Sequence, residues 1–239
     1  MVYPKFRKIA PASLPGLVAT ALKDAFCARQ LRPGDAIVER EIARQMSVGT
    51  AAVREALISL QEQGFVRRVA KNHTFVRQFD AVELLPLCSL WIELESLAFR
   101  WARPKITRAR LAELERIHRA AAKASATGQL RLFFEKNYAF HQRCWTLSRN
   151  VYLADTLSRL AAPLFTLVMV GGGEASAAAV QQGNFELLSA LTALEEPEFS
   201  AAVRQTLNRI ALNALSRFES GAPQRPSEVY QGSAQGQLA

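Results

Sequence analysis

The sequence predicts a mainly α protein: a small N-terminal domain of three short helices and a two-stranded wing, then an all-α bundle of six helices. Three observations carry this. The stretch from Leu31 to Val76 reads turn, short amphipathic segment, break, second amphipathic segment, then a basic β-rich piece. From about Asp80 onward, long Ala/Leu-rich patterns repeat at helical spacing with little strand signal. The charge is also uneven: residues 1–79 hold 13 Lys/Arg against 6 Asp/Glu, a balance of +7, while residues 80–239 hold 17 against 15, only +2.

The elements follow in order. Residues 13–29 place Leu17, Val18, Ala21, Leu22, Ala25 and Phe26 at helical spacing. Pro33-Gly34 is a turn. Residues 39–46 form the second helix with Ile42, Ala43 and Met46 inward, and Ser47-Val48-Gly49 breaks it. Residues 50–63 form the third, with Val53, Ala56, Leu57 and Leu60 on one face and Gly64 as its stop. Phe65–Val69 and Thr74–Val76 read as two strands joined near Lys71-Asn72-His73. Helix, turn, helix and wing is an order that places one helix in a DNA major groove.

The second half reads as helices near 81–102, 107–127, 129–148, 150–170, 174–195 and 198–219. Asn150 and Gly171-Gly172-Gly173 are the expected breaks, and Thr107 an expected N-cap without the acid of a full capping box. This divides the chain into a DNA-binding domain at 10–79, a helical domain at 80–219 and a polar, Gly/Pro/Gln/Ser-rich tail at 220–239, expected to be disordered.

Several function classes fall away. The apolar runs are far too short to span a bilayer, so no membrane partner is expected. The basic N-terminus lacks the apolar stretch of a signal peptide. Cys27, Cys88 and Cys144 are odd in number and widely spaced, which suits neither a disulfide framework nor a zinc knuckle. A reducing cytoplasm is the expected location. No phosphate-binding Gly loop and no G-x-S-x-G elbow is present, so the chain is not expected to be an enzyme.

Pro33-Gly34, Glu39 with Ile42-Ala43, Val48, Val53-Arg54-Glu55-Ala56-Leu57, Leu60 and Gly64-Phe65-Val66 together resemble the GntR family of bacterial transcription regulators. The helical half resembles the FCD ligand-binding domain, and six predicted helices look more like the VanR branch than the seven-helix FadR branch. The resemblance covers roughly residues 14–216. It implies DNA contacts by Arg40 and Arg54, through phosphate or a guanine edge; the bland alternative pairs them with Glu41 and Glu55. Where the family usually reads Val-Ser-Arg-Thr-Pro-Val, this chain reads Val48-Gly49-Thr50-Ala51-Ala52-Val53. Thr50 thus stands in for a base-reading arginine, and Gly or Thr caps the helix. Lys71 and His73 are the candidate wing contacts. His73 stands near a usual glycine, where a positive φ would be strained.

Many FCD domains hold a divalent metal with one aspartate and three histidines. The resemblance places those four positions at Asn137, His141, Asn184 and Asn208, or Arg209 if the register shifts near Pro197. One imidazole and three neutral amides make a poor metal site, so no cofactor is expected. For His141, a hydrogen-bonded core histidine and a direct ligand contact stay equally open. Trp91 replaces an arginine of the family's Arg-x-x-Leu-Glu pattern, here Trp91-Ile92-Glu93-Leu94-Glu95, which makes the pocket more apolar or ligand-free. The expected protein is a homodimer that binds double-stranded operator DNA and senses a small metabolite, an organic acid or similar polar compound. The alternative is a dimeric helical interaction protein that has lost ligand sensing.

Overall fold

The computed structural model describes residues 13–69, 73–79 and 81–221, the side chains of 81, 163, 167–176 and 217–221 excepted. The first helix, α1 (Leu14–Cys27), is capped by the Ser13 hydroxyl, which accepts from Gly16 N. It buries Val18, Leu22 and Phe26 and leaves Leu17 exposed. A two-residue strand, β1 (Ala36–Ile37), precedes α2 (Glu39–Gln45) and α3 (Thr50–Glu62). Ser47, at φ 52°, turns the chain between these two helices.

Val53, Ala56, Leu57 and Leu60 of α3 are all fully buried, as their spacing predicts. Gly64 ends the segment at φ 78°, a conformation that costs a side-chain residue more. The wing is β2 (Val66–Val69) and β3 (His73–Val76), paired antiparallel with Val69 opposite His73. The strand β1 adds to the far side of β3, giving the order β1-β3-β2. Two residues are too short to show alternation, so sequence periodicity misses β1.

The helical half runs α4 (Ala81–Ala102), a 3₁₀ turn (Arg103–Lys105), α5 (Arg108–Ala126), α6 (Leu130–Leu147), α7 (Val151–Ala193) and α8 (Glu198–Gly221). Thr107 and Asn150 cap α5 and α7 with their side-chain oxygens. The expected break at Gly171–Gly173 does not occur: α7 is one helix of 43 residues, so five α-helices, not six, make up this half among the described residues. Glycine in a helix costs about 1 kcal/mol per residue relative to alanine. Burial of Leu157, Ala161, Leu164, Ala177, Val180 and Leu187 on both sides of the run outweighs that cost. The helix count behind the branch resemblance therefore loses its basis. The tail expected at 220–239 lies outside the described residues from 222 on, and α8 continues to Gly221.

The two halves share packing. The core of the winged helix takes in Ala121, Ala124, Phe133, Phe134, Ala177 and Val180 from α5, α6 and α7. Arg131 Nε donates to Asp24 of α1 at 2.6 Å. The Thr166 hydroxyl, on α7, donates to the carbonyl of Gln63, the C-cap of α3, at 3.1 Å.

Candidate DNA interface and effector cavity

On the outer face of α3, Thr50 and Arg54 are exposed, and Arg40 is exposed on α2. Thr50 is the first residue of α3. Its N-cap is Gly49, which offers no side-chain hydrogen bond, so the first N–H groups of α3 gain no side-chain cap. Arg54 does not pair with Glu55. Its Nε and Nη2 donate to Glu39 Oε2 at 3.2 and 3.1 Å. Arg68 of β2 donates to the other oxygen of the same carboxylate at 3.4 Å. Glu41, the partner considered for Arg40, is instead held by Arg44 and Gln45, which push its carboxyl down to about 2.

Glu39 therefore joins the start of α2, the exposed face of α3 and the wing. Its side chain is only 10% exposed, and sequence reading assigned it no such role. The doublet Arg67-Arg68 in the basic strand was the available signal. His73 is exposed and pairs in β3 with extended backbone, so no positive φ arises there. Lys71 lies outside the described residues.

The helical half holds a cavity of about 40 Å³ between α4, α6, α7 and α8. Its polar edge is Asn137 and His141, one turn apart on α6. Cys88 and Trp91 of α4 and Leu164 and Phe165 of α7 form facing walls. Val180, Ile210, Ala211 and Ala214 close the remainder. Gly183 leaves room for the Ile210 side chain of α8: a Cβ there would fall 2.6 Å from Ile210 Cδ1, so that side chain would have to move.

Behind the cavity runs a buried hydrogen-bond chain. Asn184 Nδ2 donates to Asn137 Oδ1 at 2.6 Å, and His141 Nε2 lies 3.1 Å from Asn184 Oδ1. His141 Nδ1 lies 2.7 Å from Glu95 Oε1. Trp145 Nε1 donates to Glu95 Oε2 at 2.6 Å. Glu95, fully buried, is the residue that sequence reading missed here. Its signal was an acid inside the α4 stripe Cys88, Trp91, Ile92, Ala98, Phe99 and Ala102, where every other side chain is apolar. Burial also pushes the Cys88 and Cys144 thiols up, so both stay neutral.

Asn208 does not join this set. It is exposed, donates to the Arg204 carbonyl at 3.0 Å, and borders a separate surface groove with Pro86, Leu90 and Glu93. Arg209 pairs with Glu186. The inward side of α8 is instead carried by Thr206, Leu207 and Ile210. Thr206 Oγ1 donates to Glu186, and its Cγ2 would lie 3.7 Å from a Cβ on Gly183. The register error is about half a helical turn, which carries a residue from one face to the other.

These side chains do not fit a divalent transition metal. The single imidazole already has both nitrogens engaged, by Glu95 and Asn184, and its neighbours are neutral amides. Among the described residues, no group of three or more His, Cys, Asp or Glu side chains is arranged to hold an ion. No helix among them is long and apolar enough to cross a membrane.

Comparison with known proteins agrees with both halves. Residues 16–76 match the bacterial regulatory proteins of the gntR family, and residues 87–209 match the FCD domain. The Nta operon transcriptional regulator of Aminobacter aminovorans is 34% identical over 129 residues, 53% of this chain and 60% of that protein. The chain thus spans less than two thirds of that relative's length. An HTH-type transcriptional regulator in an unstable DNA locus of Streptomyces ambofaciens is 27% identical over 208 residues, 82% of either chain. The solved structure of E. coli McbR/YncC shares the fold with a TM-score of 0.63 at 21% identity, covering 87% of this chain and 98% of that one. With this DNA-binding half joined to this helical half, the chain belongs to the GntR family of bacterial regulatory proteins, as an FCD-domain transcription regulator.

Proposed function

We propose that this regulator works in the cytoplasm as a homodimer on a palindromic operator, and that a small molecule in the cavity alters its DNA affinity. The carrying observation is the tie between cavity and recognition helix. Leu164 and Phe165 form a cavity wall, and the next residue, Thr166, donates to the carbonyl at the end of α3. Val180 lines the cavity and packs in the winged-helix core as well. A side-chain shift at the wall is thereby felt at α3, because packed interiors transmit displacement. For pairing, α4 and α8 present Val82, Leu85, Leu90 and Leu212, all at least half exposed. Such a face suits a second copy of the chain, since two-fold pairing matches two half-sites.

The cavity's size favours a second reading. About 40 Å³ has room for only a few waters or a molecule of a few heavy atoms, so a dimer that binds DNA or another protein without sensing also accommodates it. A double-mutant cycle separates the two. Ala214→Phe fills the cavity and should change operator affinity by about 5- to 150-fold, the range of ordinary allosteric coupling. Adding Thr166→Val, which cuts the tie to Gln63, should shrink that change. An operator affinity indifferent to Ala214→Phe, in a protein that still binds DNA, would support the non-sensing reading. Leu85→Asp should yield monomers by sedimentation; a dimer that persists rules out the α4–α8 face.

A further inference from the structure

We propose that the cavity takes a compact, neutral, largely apolar molecule whose carbonyl-type oxygen accepts from Trp91 Nε1 and Asn137 Nδ2, and that it rejects a carboxylate of the same shape. This rests on the sensing reading above, and it departs from the organic acid expected from sequence.

The first support is Trp91. It is 4% exposed, it lines the cavity, and its indole N–H has no acceptor among the described residues. Buried N–H groups are ordinarily paired, so this donor calls for an acceptor that the protein does not supply.

The second support is the direction of the hydrogen-bond chain. Asn137 already accepts at Oδ1 from Asn184, so what it offers the cavity is its amide hydrogens. In that direction Asn184 Oδ1 is left to accept from His141 Nε2, and His141 Nδ1 meets Glu95 at the end of the chain. The groups presented to a ligand are therefore donors.

The third support is charge. Among the described residues lining the cavity there is no lysine or arginine, and both nitrogens of His141 are engaged, by Glu95 and Asn184. An anionic ligand would add a buried charge with no partner. The walls opposite Trp91 are Leu164, Phe165, Val180 and Ile210, which suit an apolar body.

The test uses the full-length protein with ¹⁵N-labelled tryptophan indoles. The chain has three tryptophans, Trp91, Trp101 and Trp145, and Trp91→Phe identifies the relevant signal. Acetone and acetate serve as probes of nearly equal size, with butanone and propionate as a second pair. Acetone should move the Trp91 signal saturably, at a concentration at least about tenfold below any acetate effect, a gap of one decade in affinity. Asn137→Asp, which replaces the amide donor by an acceptor, should lose the acetone response; Asn137→Ala serves if the aspartate variant does not fold. Acetate acting at equal or lower concentration overturns the proposal, as does a Trp91 signal that neither ketone moves. If acetate binds while Ala214→Phe still changes operator affinity, only the ligand class is wrong. If acetone binds and operator affinity ignores Ala214→Phe, the site chemistry stands and the sensing reading falls.

Discussion

The fully buried Glu95 carboxylate meets His141 Nδ1 at 2.7 Å, and its other oxygen accepts from Trp145. Removing one member of such a pair strands the other in a low-dielectric interior. Glu95→Ala should therefore destabilise the fold by about 3–5 kcal/mol. Glu95→Gln keeps the volume and an acceptor for Trp145, so it should cost less. Urea unfolding of both variants checks this ordering. Equal losses would mean that the packing of the side chain, not its charge, is what matters.

On the DNA side, Glu39 holds Arg54 and Arg68 together. Arg54→Ala and Arg40→Ala should each weaken operator binding by about 1–3 kcal/mol, the range for a guanidinium contact to a base edge. Glu39→Ala should act differently. It removes a negative charge and frees two cations, so affinity for random DNA should rise while the ratio of specific to random binding falls. Thr50→Arg should move the preferred site toward a guanine-containing step. Titrations on operator and random duplexes read all four variants. Wild-type operator binding by Arg54→Ala would place the recognition surface elsewhere.

His118 supplies a pH dependence. It sits half-buried on α5 against Gln181 and Phe185. Burial, helped by the charge of Arg119, lowers its pKa from the ordinary 6.5. The folded chain then holds fewer protons than the unfolded chain just below that value. The stability tied to neutral His118 is fully present above about pH 6.5 and is lost as pH falls toward the lowered folded value. His118→Gln should flatten the fall in melting temperature between about pH 7.5 and 5.5 relative to wild type. Parallel curves for the two proteins would refute it.

How much of this was legible in the sequence depends on what kind of signal each feature leaves. Helices α1 to α6 and α8 follow their apolar periodicity closely, because one face of each is buried. The run Gly171–Gly173 misleads, because glycine's local cost is small beside the packing of α7 on both sides of it. The i,i+4 spacing of Asn137 and His141 gives them a shared face, while Asn184 and Trp91, expected there only from the family resemblance, lie beside them in the structure. Asn208 failed because two residues' slip on a helix turns a side chain outward. Glu95 and Glu39 stand in the quoted motifs, but their roles have another reason to stay hidden. Their partners are 46 and 15 residues away in sequence, and no local pattern announces a long-range ion pair.

The chemistry of the cavity leads to the last expectation, that the purified protein carries no stoichiometric zinc, nickel or manganese. Replacing a metal's water requires charged ligands or strong σ-donors. His141 is the sole imidazole in the set, and both its nitrogens are already engaged. The Asn137 oxygen and both ends of the Asn184 amide are spent within the hydrogen-bond chain. Elemental analysis should give well under about one metal per ten chains, far from the full occupancy of a structural site. The corrected α8 register sharpens the converse experiment. Asn137→Asp with Asn184→His and Thr206→His brings a carboxylate and two imidazoles to the inward faces beside His141, and should create a metal site. The same design with Asn208→His in place of Thr206→His should not, since Asn208 faces solvent. Metal bound by the Asn208 design and refused by the Thr206 design would reverse the assignment of the inward face of α8.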